Sequence, residues 1–171
     1  GLKIRIVTGD EEARLAWFGA QRDLGLSPGT RMVVDLGGGS TELVLAEKGD
    51  VSFSKSLDVG CVRITERFLS SDPPSRPELA AAGAYVRSLL PDLEVTAAIG
   101  VAGTVTTLAT LDLGDAEYVP ERTHGHRIPL ASVEEQLERL AAMTTDERVD
   151  VPGIEPGRAP VIVAGIVVLR E

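Results

Sequence analysis

The spacing of apolar and polar residues predicts a helix followed by a group of strands in the first third of the chain. Apolar residues at helical spacing predict a helix over 10–21, with Ala16, Trp17 and Ala20 on one face. Alternating positions divided by short turns then predict strands over 32–35, 41–46 and 51–59. Strands joined by such short turns are expected to pair as an antiparallel meander.

Helices and a strand alternate after this meander. The pattern predicts helices over 61–69, 78–90, 103–111 and 130–143, with a buried strand over 96–101. An antiparallel meander followed by alternating helices and strands predicts a mixed α/β domain of the ribonuclease-H-like kind.

Apolar segments lie close to both ends of the chain. Residues 3–7 predict a strand, and 161–169 are apolar throughout, so that segment fits either a strand or a buried helix. Because chain ends are usually exposed, we interpret the sequence as a piece of a longer two-domain protein. The predicted organisation is a strand and helix from a domain junction over 1–30, a second ribonuclease-H-like domain over 31–158, and a truncated apolar segment returning toward the junction over 159–171.

Three consecutive glycines between two predicted strands are the most distinctive chemical feature. The segment is Asp35, Leu36, Gly37, Gly38, Gly39, Ser40, Thr41 and Glu42. Glycines can take positive φ and turn several N–H groups toward one anion, while the Asp35 carboxylate can hold Mg²⁺ directly or through water. An ordinary glycine-rich hairpin turn is the alternative. Because glycines cost backbone entropy and bury no side chain, we favour a phosphate site.

A second glycine turn lies between the strand at 96–101 and the next helix. Gly103 and Thr104 begin that helix, where exposed N–H groups and the helix dipole favour a phosphate. Close helix–strand packing with Thr104 as the N-cap is the alternative. The segment lacks the lysine of a Walker motif and is not a dinucleotide fingerprint.

Acidic residues begin the first predicted helix. Negative charge suits a helix N-terminus, and Glu11 has the spacing to form a capping box with Thr8. Glu12 is then left to act as a general base on water beside a bound phosphate. The residues alone support a catalytic base and a surface acid equally.

Composition limits the classes of partner. The net charge is −9, which argues against a general nucleic-acid-binding protein and requires any anion site to be local. Cys61 is the single cysteine, so no intrachain disulfide can form and a reducing compartment is favoured. The longest apolar run, 161–169, is too short to span a membrane. We therefore expect a cytoplasmic protein with no membrane or nucleic-acid partner.

Four segments, in this order, resemble one known family. They are Thr-Gly-Asp-Glu-Glu-Ala-Arg-Leu at 8–15, Val-Val-Asp-Leu-Gly-Gly-Gly-Ser-Thr-Glu-Leu at 33–43, Val-Gly-Cys-Val-Arg at 59–63 and Gly-Val-Ala-Gly-Thr at 100–104. They resemble the exopolyphosphatase and guanosine pentaphosphate phosphohydrolase family of the actin/Hsp70/sugar-kinase superfamily. The resemblance implies an actin-like ATPase fold and an active-site cleft between two domains. The family's N-terminal phosphate loop has no counterpart here, so this chain is expected to supply mainly one wall of the cleft.

The resemblance also implies roles for particular residues. Glu12 matches the general base and Asp35 the acid associated with Mg²⁺. The remaining matches form a phosphate loop at Gly37, Gly38, Ser40 and Thr41, a second acid at Glu42, and a second glycine turn at Gly103 and Thr104. Gly39 joins the phosphate-binding set from the glycine-turn argument, and Arg63 is either a contact to a chain phosphate or a solvated arginine.

These roles lead to one main hypothesis and three alternatives. The main hypothesis is a domain of an exopolyphosphatase that releases terminal phosphate from inorganic polyphosphate by water attack, with Mg²⁺. The alternatives are a guanosine pentaphosphate phosphohydrolase of the stringent response, a nucleotide- or alarmone-binding module without catalysis, and an Hsp70- or actin-like ATPase. A homodimer is a further expectation, and the isolated chain is expected to be almost inactive.

Overall fold

The computed structural model describes residues 9–20, 31–47 and 50–171. The strands described are β1 (Arg31–Leu36), β2 (Thr41–Glu47), β3 (Asp50–Leu57) and β4 (Ala97–Val101), in the sheet order β3-β2-β1-β4. β1, β2 and β3 pair antiparallel, and β4 lies parallel to β1. The predicted meander and the mixed α/β class are therefore confirmed.

Helices cover both faces of this sheet. Those described are α1 (Gly9–Ala20), α2 (Cys61–Phe68), α3 (Arg76–Leu89), α4 (Gly103–Asp112), α5 (Pro120–Thr123), α6 (Leu130–Ala141), α7 (Thr145–Val149) and α8 (Ile162–Arg170), with a 3₁₀ turn at Pro156–Arg158. The predicted helices agree closely with α1, α2, α3, α4 and α6. The short helices α5 and α7 lie in segments for which the sequence pattern predicts no helix. The predicted strand over 3–7 and the Thr8 cap lie outside the described residues.

Successive residues of a strand point to opposite faces of the sheet, so the strands contribute to two apolar clusters, one on each face. Leu36, Leu43 and Leu57 belong to the large cluster beneath α2, α3, α6 and α8. Val33, Val44 and Trp17 form a smaller cluster, in which Trp17 attaches α1 to the opposite face. The sheet therefore holds α1 on one side and most of the described helices on the other.

The apolar segment near the chain end forms helix α8. Residues 162–168 are all buried, since α8 contacts α2, α3, α4 and α6. A helix enclosed on every side needs no polar face. For this reason the periodicity of the sequence could not distinguish a strand from a buried helix in this segment. The three-part division of the chain at residues 30 and 158 stays a prediction. Within the described residues, no helix combines the length and apolarity that a membrane span requires.

Candidate functional site

The two predicted glycine turns lie at the same edge of the sheet. β1 and β4 run parallel, with Val34 opposite Gly100 and Asp35 opposite Val101. The first turn follows β1 directly, and the second follows β4 and leads into α4. Because carboxyl ends of parallel strands share one edge, this topology brings together two segments that are more than 60 residues apart in sequence.

Two of the predicted acids face each other across strands β1 and β2. Asp35 and Glu42 are register partners, and both are half-buried. Directly opposite residues place their Cβ atoms about 5 Å apart on the same face. One Glu42 carboxylate oxygen accepts a hydrogen bond from the Ser56 hydroxyl at 2.9 Å. The pair thus provides adjacent carboxylate oxygens next to the first glycine turn.

Helix α1 covers the sheet face that carries Asp35 and Glu42. Trp17 in α1 is buried against Val33 and Val44. Val33 is two residues from Asp35 on β1, and Val44 is two residues from Glu42 on β2, so each valine lies on the same sheet face as the acid of its strand. Glu12 belongs to α1, so its backbone lies on this face. The Glu12 side chain lies outside the described part of the structure, and its role as a base stays a prediction.

The N-terminus of α2 anchors the first glycine turn through its carbonyl groups. The Cys61 N–H donates to the Gly37 carbonyl at 3.0 Å. The Val62 and Arg63 N–H groups both donate to the Gly38 carbonyl, at 3.0 and 3.1 Å. The Arg63 side-chain Nε donates to the Gly39 carbonyl at 2.8 Å. Three successive carbonyls of the turn are therefore directed at α2.

This anchoring orients the N–H groups of the turn. In a trans peptide the C=O and N–H bonds point in opposite directions. The peptides whose carbonyls point toward α2 carry the N–H groups of Gly38, Gly39 and Ser40, so these three groups point away from α2. Successive N–H groups directed to one side form an anion-binding nest. The predicted phosphate site thus has a geometric basis in the backbone.

The glycines permit this arrangement by their small size. None of Gly37, Gly38 and Gly39 adopts the positive φ that glycine permits, so the turn does not depend on that conformation. A Cβ on Gly38 would lie 3.3 Å from Val62 Cγ2. A Cβ on Gly60 would lie 2.3 Å from both the carbonyl carbon and oxygen of Gly38. The close approach of α2 to the turn thus depends above all on Gly60.

Thr41 supports the turn from beneath. Its side chain is 2% exposed, and its hydroxyl donates to the Val59 carbonyl in a short hydrogen bond. A proton donated to Val59 is not available to a phosphate. The Thr41 side chain therefore supports the turn structurally, and its predicted role in binding phosphate stays a prediction.

The second glycine turn has a different geometry from the one expected. Ala102, not Thr104, is the N-cap of α4, and it adopts φ 72° and ψ 178°. Thr104 is 1% exposed and lies against α8, where a Cβ on Gly165 would be 2.5 Å from its Oγ1. The Thr104 side chain therefore packs two helices together, and its predicted role as a phosphate ligand stays a prediction. A Cβ on Gly100 would lie 2.8 Å from both methyl carbons of Val105. Glycine at position 100 therefore allows α4 to pack closely against β4, as the alternative interpretation expected.

Arg158 lies directly over the second glycine turn. A Cβ on Gly103 would be 1.8 Å from Arg158 Cζ, so only glycine leaves room for the guanidinium at the start of α4. Beside them is a cleft of about 670 Å³, lined by residues that include Ala102, Gly103, Thr106, Tyr118, Glu155 and Arg158. The N-terminus of α4 and the Arg158 guanidinium thus line the same cleft, an arrangement that suits an anion.

A buried arginine holds the segment that carries Arg158. Arg148 is 3% exposed and donates to the Ala159 carbonyl at 2.9 Å. It also donates to an Asp72 carboxylate oxygen at 2.9 Å. A hydrogen bond from the Thr145 backbone N–H, assisted by Arg148, lowers the pKa of Asp72 from its ordinary value. Arg148 thereby links Ala159, the residue after the 3₁₀ turn, to Asp72.

Comparison with known proteins identifies the family. The model of the Ppx/GppA phosphatase family matches residues 1–171. The chain belongs to this family. It is 42% identical over 178 residues to exopolyphosphatase 2 of Mycobacterium tuberculosis strain H37Rv, covering 100% of this chain and 56% of that protein. It is 30% identical over 176 residues to exopolyphosphatase 1 of Mycobacterium leprae, covering 98% and 52%. The chain thus spans about half the length of these relatives.

Solved structures of the Ppx/GppA family have the same fold. The Aquifex aeolicus family member superposes with a TM-score of 0.88 at 30% identity, over 98% of this chain and 56% of that one. An exopolyphosphatase-like protein gives a TM-score of 0.88 at 34% identity, over 99% and 57%. The predicted family and its actin-like fold are therefore confirmed.

Two residues of this Ppx/GppA chain that shape the site were not predicted from sequence. Gly60 lies in a segment that was noted only as part of the family resemblance, and its contact with Gly38 is apparent only in three dimensions. Arg158 lies in a proline- and glycine-rich segment without periodicity. No local signal indicates that its guanidinium reaches Gly103.

The conformation of Ala102 leads to a stability prediction. Its φ and ψ fall in a region populated almost only by glycine, at a cost of about 1–3 kcal/mol for other residues. Glycine loses roughly 0.5–1 kcal/mol more backbone entropy on folding. We expect Ala102→Gly to stabilise the full-length protein by about 1 kcal/mol, measured by urea unfolding.

A matched control separates this effect from the general cost of an alanine-to-glycine change. Ala142 is also exposed and lies at a helix end, but it has φ −82°. Ala142→Gly should lower the free energy of unfolding by up to about 1 kcal/mol. Equal losses from both substitutions would show that Ala102 carries no strain.

Proposed function

We propose that the full-length protein containing this chain is an exopolyphosphatase that releases terminal phosphate from inorganic polyphosphate. The observation that carries the proposal is the orientation of the first glycine turn by α2, which directs the Gly38, Gly39 and Ser40 N–H groups to one side. The second turn with Arg158 lies at the same sheet edge and adds a positive group for the chain phosphates. Both mycobacterial relatives are named exopolyphosphatases.

The proposed reaction is attack of water on the terminal phosphorus. The new bond forms between water oxygen and phosphorus, and the phosphoanhydride P–O bond breaks, leaving the shortened polyphosphate. In this proposal Glu12 accepts the proton of the attacking water. The turn amides donate to the phosphoryl oxygens, where negative charge is greatest in the transition state.

Asp35 and Glu42 fit the binding of Mg²⁺. Their carboxylates belong to opposite residues on neighbouring strands, next to the proposed phosphate position. Mg²⁺ in phosphoryl-transfer sites binds through one or two carboxylates together with substrate phosphates. Bound there, Mg²⁺ would neutralise charge on the substrate. We propose Asp35 as the principal ligand and Glu42 as its neighbour, held in place by Ser56.

Guanosine pentaphosphate is the alternative substrate, because it also ends in a phosphoanhydride. The alternative rests on the family as a whole, and no described residue favours it over polyphosphate. A role in the stringent response, a homodimer and a cytoplasmic location stay predictions that accompany either substrate.

Phosphate release by the full-length protein tests this proposal. Long-chain polyphosphate, guanosine pentaphosphate and ATP are compared at equal concentrations of terminal phosphate, with Mg²⁺ and with excess EDTA. We expect the highest kcat/KM for polyphosphate and loss of activity in EDTA. Faster turnover of guanosine pentaphosphate or ATP would contradict the substrate assignment, and undiminished turnover in EDTA would contradict the metal assignment. The isolated 171-residue chain should show negligible activity.

A further inference from the structure

We propose that Arg63 is a positioning residue that sets the direction of the last phosphate-binding amide in the first glycine turn. The inference rests on the proposed function and deepens it. The first two carbonyls of the turn are held by backbone N–H groups of α2, which any residue except proline could supply. The Gly39 carbonyl is held by a side chain, the Nε of Arg63, at 2.8 Å. One peptide of the nest therefore depends on residue identity.

The peptide that Arg63 holds is the one that carries the Ser40 N–H. Gly39 is exposed, and among the described residues a Cβ there would have Arg63 Nη2 nearby, at 4.0 Å. The Gly37 N–H donates to the Ser40 carbonyl at 2.9 Å and so holds the following peptide, whereas the carbonyl of the peptide between Gly39 and Ser40 is held by Arg63 Nε. Rotation of the peptide between Gly39 and Ser40 would turn the Ser40 N–H away from the direction shared by the Gly38 and Gly39 N–H groups. Arg63 is expected to prevent this.

Asp58 orients the Arg63 guanidinium from the other side. One Asp58 carboxylate oxygen lies 3.4 Å from Arg63 Nη2, and both side chains are at least half exposed. Exposed ion pairs contribute little free energy. Asp58 therefore contributes little to the orientation of the Arg63 guanidinium. The hydrogen bond that Arg63 Nε donates to the Gly39 carbonyl is the contact that positions the turn.

Arg67 offers a matched control on the same helix. It lies one turn further along α2, is also exposed, and contacts Tyr85 away from the glycine turn. Arg63→Met and Arg67→Met remove the same charge from the same helix. Only the first removes a donor to the turn, while Arg63→Lys keeps the charge and one flexible donor.

The test measures binding of inorganic phosphate to the full-length protein by calorimetry, together with amide ¹H–¹⁵N spectra. Arg63→Met should raise the Kd for phosphate by about tenfold and abolish the phosphate-induced shift of the Ser40 amide signal. Arg67→Met should stay within about twofold of the parent protein, and Arg63→Lys should fall between the two. The melting temperature of Arg63→Met should change by less than about 3 °C, since the lost contact is exposed.

Two results would overturn the inference. The first is an unchanged Kd and Ser40 shift in Arg63→Met, and the second is an equal loss of affinity in Arg67→Met. Hydrolysis is assayed separately with polyphosphate. If Arg63→Met raises the Kd for phosphate as expected but the parent protein does not hydrolyse polyphosphate, the proposed function fails and the positioning role stands. If it hydrolyses polyphosphate and Arg63→Met leaves kcat and KM unchanged, the positioning role fails and the function stands.

Discussion

Glu12→Gln should lower kcat for polyphosphate by about a thousandfold in the full-length protein while leaving phosphate binding within about twofold. Proton transfer by a positioned general base contributes roughly two to four orders of magnitude to a rate. Glutamine has nearly the same shape but cannot accept the proton of the attacking water. Because α1 is anchored to the sheet by Trp17 and its apolar neighbours, the helix should stay in place. Steady-state phosphate release and phosphate calorimetry measure the two quantities.

Glu11→Gln is the matched control for this substitution. Glutamine can replace glutamate in a capping box, so the helix start should be preserved and kcat should stay within about twofold. The pH dependence gives a second readout. The acidic limb of the kcat profile should be present in the parent protein and absent from the residual activity of Glu12→Gln. A kcat of Glu12→Gln close to that of the parent protein would remove Glu12 from the role of base.

Local sequence patterns predict much of this fold because each element has a clear period. Strands β1 and β2 place alternate apolar residues in the clusters on the two sheet faces, and short turns join β1 to β2 and β2 to β3, so short apolar runs bounded by turn residues identify these strands. The amphipathic helix α6 presents Val133, Leu137 and Leu140 to the core at helical spacing. Helix α8 lacks such a signal, since its surroundings are apolar on all sides and its β-branched residues also suit a strand.

The sequence indicates those parts of the candidate site in which backbone N–H groups would bind the ligand. Consecutive glycines are recognisable because they cost backbone entropy and bury no side chain, which indicated 37–39. Gly103 was indicated by its place at the start of a helix. Side-chain direction is not readable in the same way. Thr41 and Thr104 have hydroxyls of the right type in the right segments, yet tertiary packing turns both into the core. Arg158 reaches Gly103 across more than 50 residues of sequence, a contact that no short motif contains.

Gly60→Ala should both destabilise the protein and disrupt the phosphate site. The new Cβ would lie 2.3 Å from the carbonyl carbon and oxygen of Gly38. Backbone atoms cannot rotate out of the way as a flexible side chain can, so α2 and the glycine turn must separate. The separation would break the hydrogen bonds from Cys61 and Val62 that orient the turn. We expect a loss of about 2–4 kcal/mol in the free energy of unfolding, which is typical of overpacking with lost hydrogen bonds.

The effect on binding should exceed the effect of removing Arg63 alone, because all three oriented amides lose their support. We expect the Kd for inorganic phosphate to rise by more than about tenfold in the folded fraction of Gly60→Ala. Gly19→Ala is the control, since a Cβ there meets no atom of the described residues within 4 Å. Near the end of α1 that change should stabilise the protein by up to about 1 kcal/mol and leave phosphate binding unaltered. If Gly60→Ala matched this control in both urea unfolding and calorimetry, α2 would not be what orients the phosphate loop.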